Sequence, residues 1–94
     1  MPQLDEYPTT KSDLDVEELE DEIVVNDPDR QKIYNFNGTA AFIWSLSDGS
    51  MTLNEIVDEI HRSDPTVPRT EIEDDVLDFV SELQEKELLE VKSG

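Results

Sequence analysis

Catalytic or metal chemistry in this chain would have to be built from one histidine and several clusters of carboxylates. His61 is the single histidine and there is no cysteine, so neither a thiolate nor a paired-imidazole zinc site can be assembled. His61 stands beside Arg62 near the predicted end of a helix, where a cation meets the negative pole of the dipole, and reads as a solvated terminal residue. Asp27, Asp29 and Asn35 carry calcium-type oxygens, but the central glycine and closing glutamate of an EF-hand do not fall at the required spacing. Asp48-Gly49-Ser50 fails in the same way, and both stretches read as turns and caps. Asp74 and Asp75 are adjacent on a predicted helix, so their side chains diverge instead of converging as an acid and base pair. Three glycines leave no phosphate-cradling loop. The expectation is a protein with no catalytic residue, no metal and no cofactor.

Charge narrows the partners. Twenty-five acids against seven bases give a net charge of −18. Phosphate binding needs clustered Lys and Arg, whereas Arg30, Lys32, Arg62, Arg69, Lys86 and Lys92 are scattered among acids, so nucleic acid is disfavoured. The same field repels anionic membranes and attracts basic segments, although much of it reads as plain surface solvation. No apolar run approaches the roughly 20 residues of a membrane span, and Met1-Pro2-Gln3-Leu4-Asp5-Glu6 lacks the basic start and apolar centre of a secretion signal. A cytoplasmic protein is expected, with one small domain held by packing alone because disulfides are unavailable.

The elements follow from pattern. Residues 1–12 are polar, carry Pro2 and Pro8 and show no period, so they read as a disordered arm ahead of a domain over 13–92. Leu14, Val16 and Leu19 alternate loosely, as in a short acidic edge strand. Glu22-Ile23-Val24-Val25-Asn26 is a β-branched strand, and Asp27-Pro28-Asp29 a turn with Pro28 at its first central position. Lys32 to Phe36 returns as the second arm of a hairpin, with Lys32, Tyr34 and Phe36 on one face and Ile33 and Asn35 on the other. Phe36 is the expected core anchor, and Tyr34, Phe36, Phe42 and Trp44 read as core aromatics.

Asn37 is a good N-cap for an apolar helix over Thr39–Leu46, expected to be central and to stop at Asp48-Gly49. Thr52-Leu53-Asn54-Glu55 has capping-box spacing, and Leu53, Ile56, Val57 and Ile60 follow a helical period to about Ser63-Asp64-Pro65. Thr70-Glu71-Ile72-Glu73 repeats the capping box, opening a long helix with the stripe Ile72, Val76, Phe79, Val80 and Leu83. Leu77 lies off that stripe and either widens the core face or lines a groove. Leu88 to Val91 is an apolar tail suited to a strand or a core cap. The predicted fold class is α+β and winged helix-turn-helix-like: a three-stranded antiparallel sheet followed by three helices.

These residues carry a resemblance. The run Glu22 to Pro28, then Tyr34-Asn35-Phe36-Asn37, Ala40-Ala41-Phe42-Ile43-Trp44, Asp48-Gly49, Leu53-x-x-Ile56-Val57-x-x-Ile60 and Asp75-Val76-x-x-Phe79-Val80-x-x-Leu83 resembles the PqqD family over roughly residues 14–91. Phe36 stands where the family usually has leucine, and Glu87 where glycine is frequent. The resemblance implies a non-catalytic chaperone that binds the leader of a ribosomally made precursor peptide and delivers its core to a modifying enzyme, often a radical SAM protein. It implies that the leader adds as a strand beside Gln31, Lys32, Ile33, Tyr34, Asn35 and Phe36. The opposite wall is then the third helix, through Ile72, Asp75, Val76, Leu77, Phe79 and Val80. An open strand edge flanked by apolar pockets suits such β-augmentation, the ladder being assigned to backbone groups of Lys32, Ile33, Tyr34 and Asn35. For Ile33 sheet packing is an equal alternative, and for Val80 core is favoured. The acids Asp74, Asp75 and Asp78 are solvated residues first and a lure for basic side chains second.

Two other classes stay open from the residues. A winged-helix DNA regulator would read DNA with the third helix, which opens with Glu71, Glu73, Asp74 and Asp75, the wrong sign for phosphates. A purely structural subunit would pair with an enzyme without touching its substrate.

Overall fold

The computed structural model describes residues 2–93, which run β1 (Tyr7–Thr10), β2 (Asp15–Glu18), β3 (Glu22–Asp27), β4 (Lys32–Asn37), α1 (Gly38–Leu46), α2 (Leu53–Ser63), α3 (Arg69–Glu85) and β5 (Leu89–Lys92). β2, β3 and β4 form the expected three-stranded antiparallel meander, and the three helices follow it. β3 is central because its β-branched residues alternate cleanly: Ile23 and Val25 point into the core at 5% and 0% exposure while Val24 faces the other side. The turn over 28–31 closes with Gln31 at φ 55°, and Arg30 ties it down through Asp27 at 3.9 Å and through Glu87.

Helix packing completes the core. Ile43 and Trp44 of α1, Leu53, Ile56 and Val57 of α2, Ile72, Val76, Val80 and Leu83 of α3, and Leu88 and Leu89 are all buried around Ile23 and Val25. α2 opens with the capping box read from the sequence: Thr52 Oγ1 accepts from the Glu55 N–H at 3.1 Å, and Glu55 Oε1 accepts from the Thr52 N–H at 2.9 Å. Thr52→Ala removes one half of this exchange and is expected to lower unfolding free energy by about 1 kcal/mol in urea denaturation.

Four expectations are corrected. Residues 1–12 are not the disordered arm that their composition suggests; Met1 lies outside the described residues, and the rest of the segment is built into the fold. β1 pairs antiparallel with β5, with Pro2 and Pro8 buried. The Leu4 and Glu6 carbonyls accept from the Asn54 and Leu53 N–H groups at 2.8 and 2.9 Å, which satisfies two free donors at the α2 start. Those partners lie far along the chain, so a four-residue strand left no period to read.

α3 begins at Arg69, with Pro68 as a cap lacking any side-chain bond, so the capping box at Thr70 does not form. Arg69 holds this end instead, donating to Asp58, to Asn54 Oδ1 at 2.5 Å and to Glu73 at 3.2 Å. These contacts, Asp58 foremost, hold its guanidinium pKa above the usual arginine value.

α1 is not buried all round. Ile43, Trp44 and Ser47 face inward, whereas Thr39, Phe42 and Ser45, spaced by three, share an outward side. Asn37 occupies its N-cap position without a side-chain bond.

The helix also stops before Gly49, at Leu46 with Ser47 as cap. Gly49 takes φ +87° beside β1, where an added Cβ would lie 2.8 Å from Thr9 Oγ1. Gly49→Ala therefore meets both a left-handed backbone cost of about 1–2 kcal/mol and a collision. The loss should shrink by roughly 1 kcal/mol in a Thr9→Ala background, a coupling that a double-mutant cycle measures.

Glu87 takes φ 58°, a left-handed backbone conformation that glycine adopts without strain. No helix among the described residues is long and apolar enough to cross a membrane.

Candidate functional site: an open strand edge beside an apolar groove

Among the described residues β4 pairs only with β3, so one side of it is an open edge. Register decides which residues serve that edge. The Leu19 N–H donates to the Glu22 carbonyl at 2.8 Å, which makes Leu19 and Glu22 a hydrogen-bonded pair across β2 and β3. Backbone groups alternate sides along an antiparallel strand, so Glu22, Val24 and Asn26 bond toward β2, and Ile23, Val25 and Asp27 toward β4. Their partners Phe36, Tyr34 and Lys32 are thereby turned inward. Ile33 and Asn35 direct their N–H and C=O groups to the open edge. The four-residue ladder assigned from the sequence is thus halved: Lys32 and Tyr34 already bond within the sheet.

The side chains of β4 divide in the same rhythm. Tyr34 and Phe36 are half-buried, while Ile33 is 68% exposed and Asn35 is exposed. Phe36 stacks on Trp44 of α1 at 5.5 Å, meets Phe79 of α3 edge-on at 5.4 Å and lies 6.3 Å from Tyr34. These aromatic contacts lock β4 against both helices and leave its backbone edge unencumbered.

A groove of about 440 Å³ opens at Gly38, the residue that follows β4. Its wall comes from Thr39 and Phe42 of α1, Ile60 of α2, Val67, and Ile72, Asp75 and Val76 of α3, with Asp64 at the margin. The structure therefore gathers Ile72, Asp75 and Val76 beside the end of β4. Phe79 joins the aromatic cluster instead, and Leu77 packs half-buried against the core. Val80 is as fully buried as Val76 but does not line the groove, and belongs to the core. Gln31 sits in the turn at the far end of β4.

Sequence reasoning missed Phe42, Ile60 and Val67. The available signal was Thr39 and Ser45 at three residues either side of Phe42, which mark the wet side of α1. Among the described residues no group of three or more His, Cys, Asp or Glu side chains is placed to hold a metal. Asp48, outside the groove, is held below the usual carboxylate range, first by the Ser50 hydroxyl at 2.5 Å and then by the Ser50 N–H at 3.0 Å.

The family model for PqqD, described as coenzyme PQQ synthesis protein D, matches residues 22–89. The chain belongs to the PqqD family. The match runs from the first residue of β3 to the first of β5, so the open edge and the groove of this PqqD-family chain both fall inside it. A solved structure, TbiB1 in complex with the TbiA(beta) leader peptide, superposes with a TM-score of 0.80 at 29% identity, covering 87% of this chain and 94% of that one. No curated protein matches the sequence.

Proposed function

We propose that this PqqD-family chain binds the leader segment of a ribosomally synthesised precursor peptide and delivers the precursor to a modifying enzyme. The observation that carries the reading is the unpaired edge of β4, where Ile33 and Asn35 turn their backbone groups outward beside an apolar groove. An extended peptide gains main-chain hydrogen bonds from such an edge and side-chain selectivity from the adjoining pocket. The likeness to TbiB1, whose structure holds a leader peptide, supports the same use of the fold. The leader pairs with Ile33 and Asn35, and apolar side chains near its end reach Phe42, Ile60 and Val67 over the buried Ile72 and Val76, with Asp75 placed to meet a basic residue. The protein contributes binding and no bond-making, and a radical SAM maturase is the enzyme class the family resemblance supplies.

A reconstituted reaction tests this role. The precursor encoded nearest to this chain's gene is incubated with its adjacent modifying enzyme, with and without the protein. Modification should slow at least about tenfold when the protein is omitted or the leader removed, as expected when a bimolecular encounter loses its tether. An unchanged rate in both cases would contradict the delivery role.

A further inference from the structure

A second groove, of about 490 Å³, lies between the β2–β3 turn and the outward side of α1. Its floor is apolar, made by Ile23, Ala41 and Phe42, and Leu19 forms its lip. Leu19 is 47% exposed and Phe42 37% exposed. Leu19 is fixed there by the hairpin bond between its N–H and the Glu22 carbonyl at 2.8 Å. A leucine held at a turn by backbone bonding, with nearly half its surface in water, contributes little to the core.

The rim is acidic on the side of the β2–β3 turn, where Glu18, Glu20, Asp21 and Glu22 flank that leucine, and Gly38 and Ser45 border it on the α1 side. Among the described residues none of these four takes part in an ion pair, while Arg30, Arg62, Arg69 and Lys86 are engaged by other acids. Clustered carboxylates repel one another, and exposed apolar surface is unfavourable in water. One kind of ligand relieves both, a segment with Lys or Arg flanking large apolar side chains, whose aliphatic stems also cover the apolar floor. A second copy of this chain does not qualify, since two molecules of net charge −18 repel.

We propose that this groove is a docking surface for a partner protein that presents a short basic segment bearing one or two large apolar side chains. None of the residues lining it lies in β4 or α3, so a partner seated there leaves the open strand edge free. It meets the first groove at Gly38 and Phe42, which places two bound segments side by side across α1. The inference rests on the groove's own chemistry and stands whether or not the β4 edge takes a leader.

The test is a titration of the ¹⁵N-labelled full chain with a short synthetic amphipathic peptide of Lys, Leu and Ala, against oligolysine of equal charge. Amide shifts should concentrate at Leu19, Ile23, Ala41, Phe42 and Ser45, with the amphipathic peptide binding about tenfold more tightly than oligolysine, the scale of one buried leucine. Leu19→Ser, and separately Glu18→Gln with Glu20→Gln and Asp21→Asn, should each weaken binding about fivefold or more, the first at unchanged Tm and the second with Tm unchanged or raised as repulsion is relieved. Shifts spread evenly over the acidic surface, or gathered at Asp74, Asp75 and Asp78, would overturn the proposal. So would Leu19→Ser affinity within about twofold of the parent, or sedimentation showing a dimer of the full chain that Leu19→Ser dissociates.

Discussion

Asn35→Pro is expected to weaken leader binding by about 10- to 100-fold while the domain stays folded. The direction of the amide decides the effect. Asn35 pairs in register with Val24, whose backbone bonds lie on the β2 side, so the Asn35 N–H faces the open edge. Proline removes that donor without breaking a bond to β3, and edge positions of this kind tolerate it. An incoming strand then loses a hydrogen bond and meets the pyrrolidine ring. Asn35→Ala is the paired control, since it loses the same side chain but keeps the N–H, and its affinity should stay within about threefold of the parent. Tyr34→Pro should behave differently. Its N–H bonds to β3, so substitution there should unfold the hairpin and lower Tm sharply. Calorimetric titration with the leader and thermal melts of all three variants separate these effects.

The largest loss of stability is expected at Trp44. It is 5% exposed and stacks on Phe36 at 5.5 Å, so it joins α1 to β4 in the centre of the core. Trp44→Ala should cost about 3–5 kcal/mol, which in a chain without disulfides is a large part of a typical net stability of about 5–15 kcal/mol. A fall in Tm on the order of 20 °C follows for a domain of this size. Trp44→Phe retains the stack and should cost far less. Because Phe36 loses its partner, the β4 edge loosens too, and leader affinity should fall with stability. Urea denaturation followed by circular dichroism gives the first quantity; a loss below about 1 kcal/mol would show that Phe36 and Phe79 alone hold the strand.

The central sheet was legible because its signals are local. β3 is a β-branched run bounded by Asp27-Pro28-Asp29, and Thr52 with Glu55 states the start of α2 outright. What stayed hidden depends on residues distant in sequence. β1 exists because β5, Ser47 and Gly49 supply its backbone partners, and four residues with a proline among them show no period. The start of α3 is set by Arg69 reaching across to Asp58 and Asn54 on α2, which outcompetes the capping box that Thr70 and Glu73 spell. At the site, Ile33 and Asn35 were identified together with Lys32 and Tyr34, since only the pairing of β2 with β3 reveals which amides face outward. Phe42 reads as core from the apolar composition of its helix, although Thr39 and Ser45 place it on the wet side.

Whether a leader pairs with the backbone of β4 is measured directly by amide hydrogen exchange resolved by residue. In the free protein the Ile33 and Asn35 amides should exchange quickly while Tyr34 and Phe36 are protected through β3. With leader bound, protection should rise at Ile33 and Asn35 and stay nearly constant at Tyr34 and Phe36. Binding that leaves Ile33 and Asn35 in fast exchange would contradict strand addition at this edge.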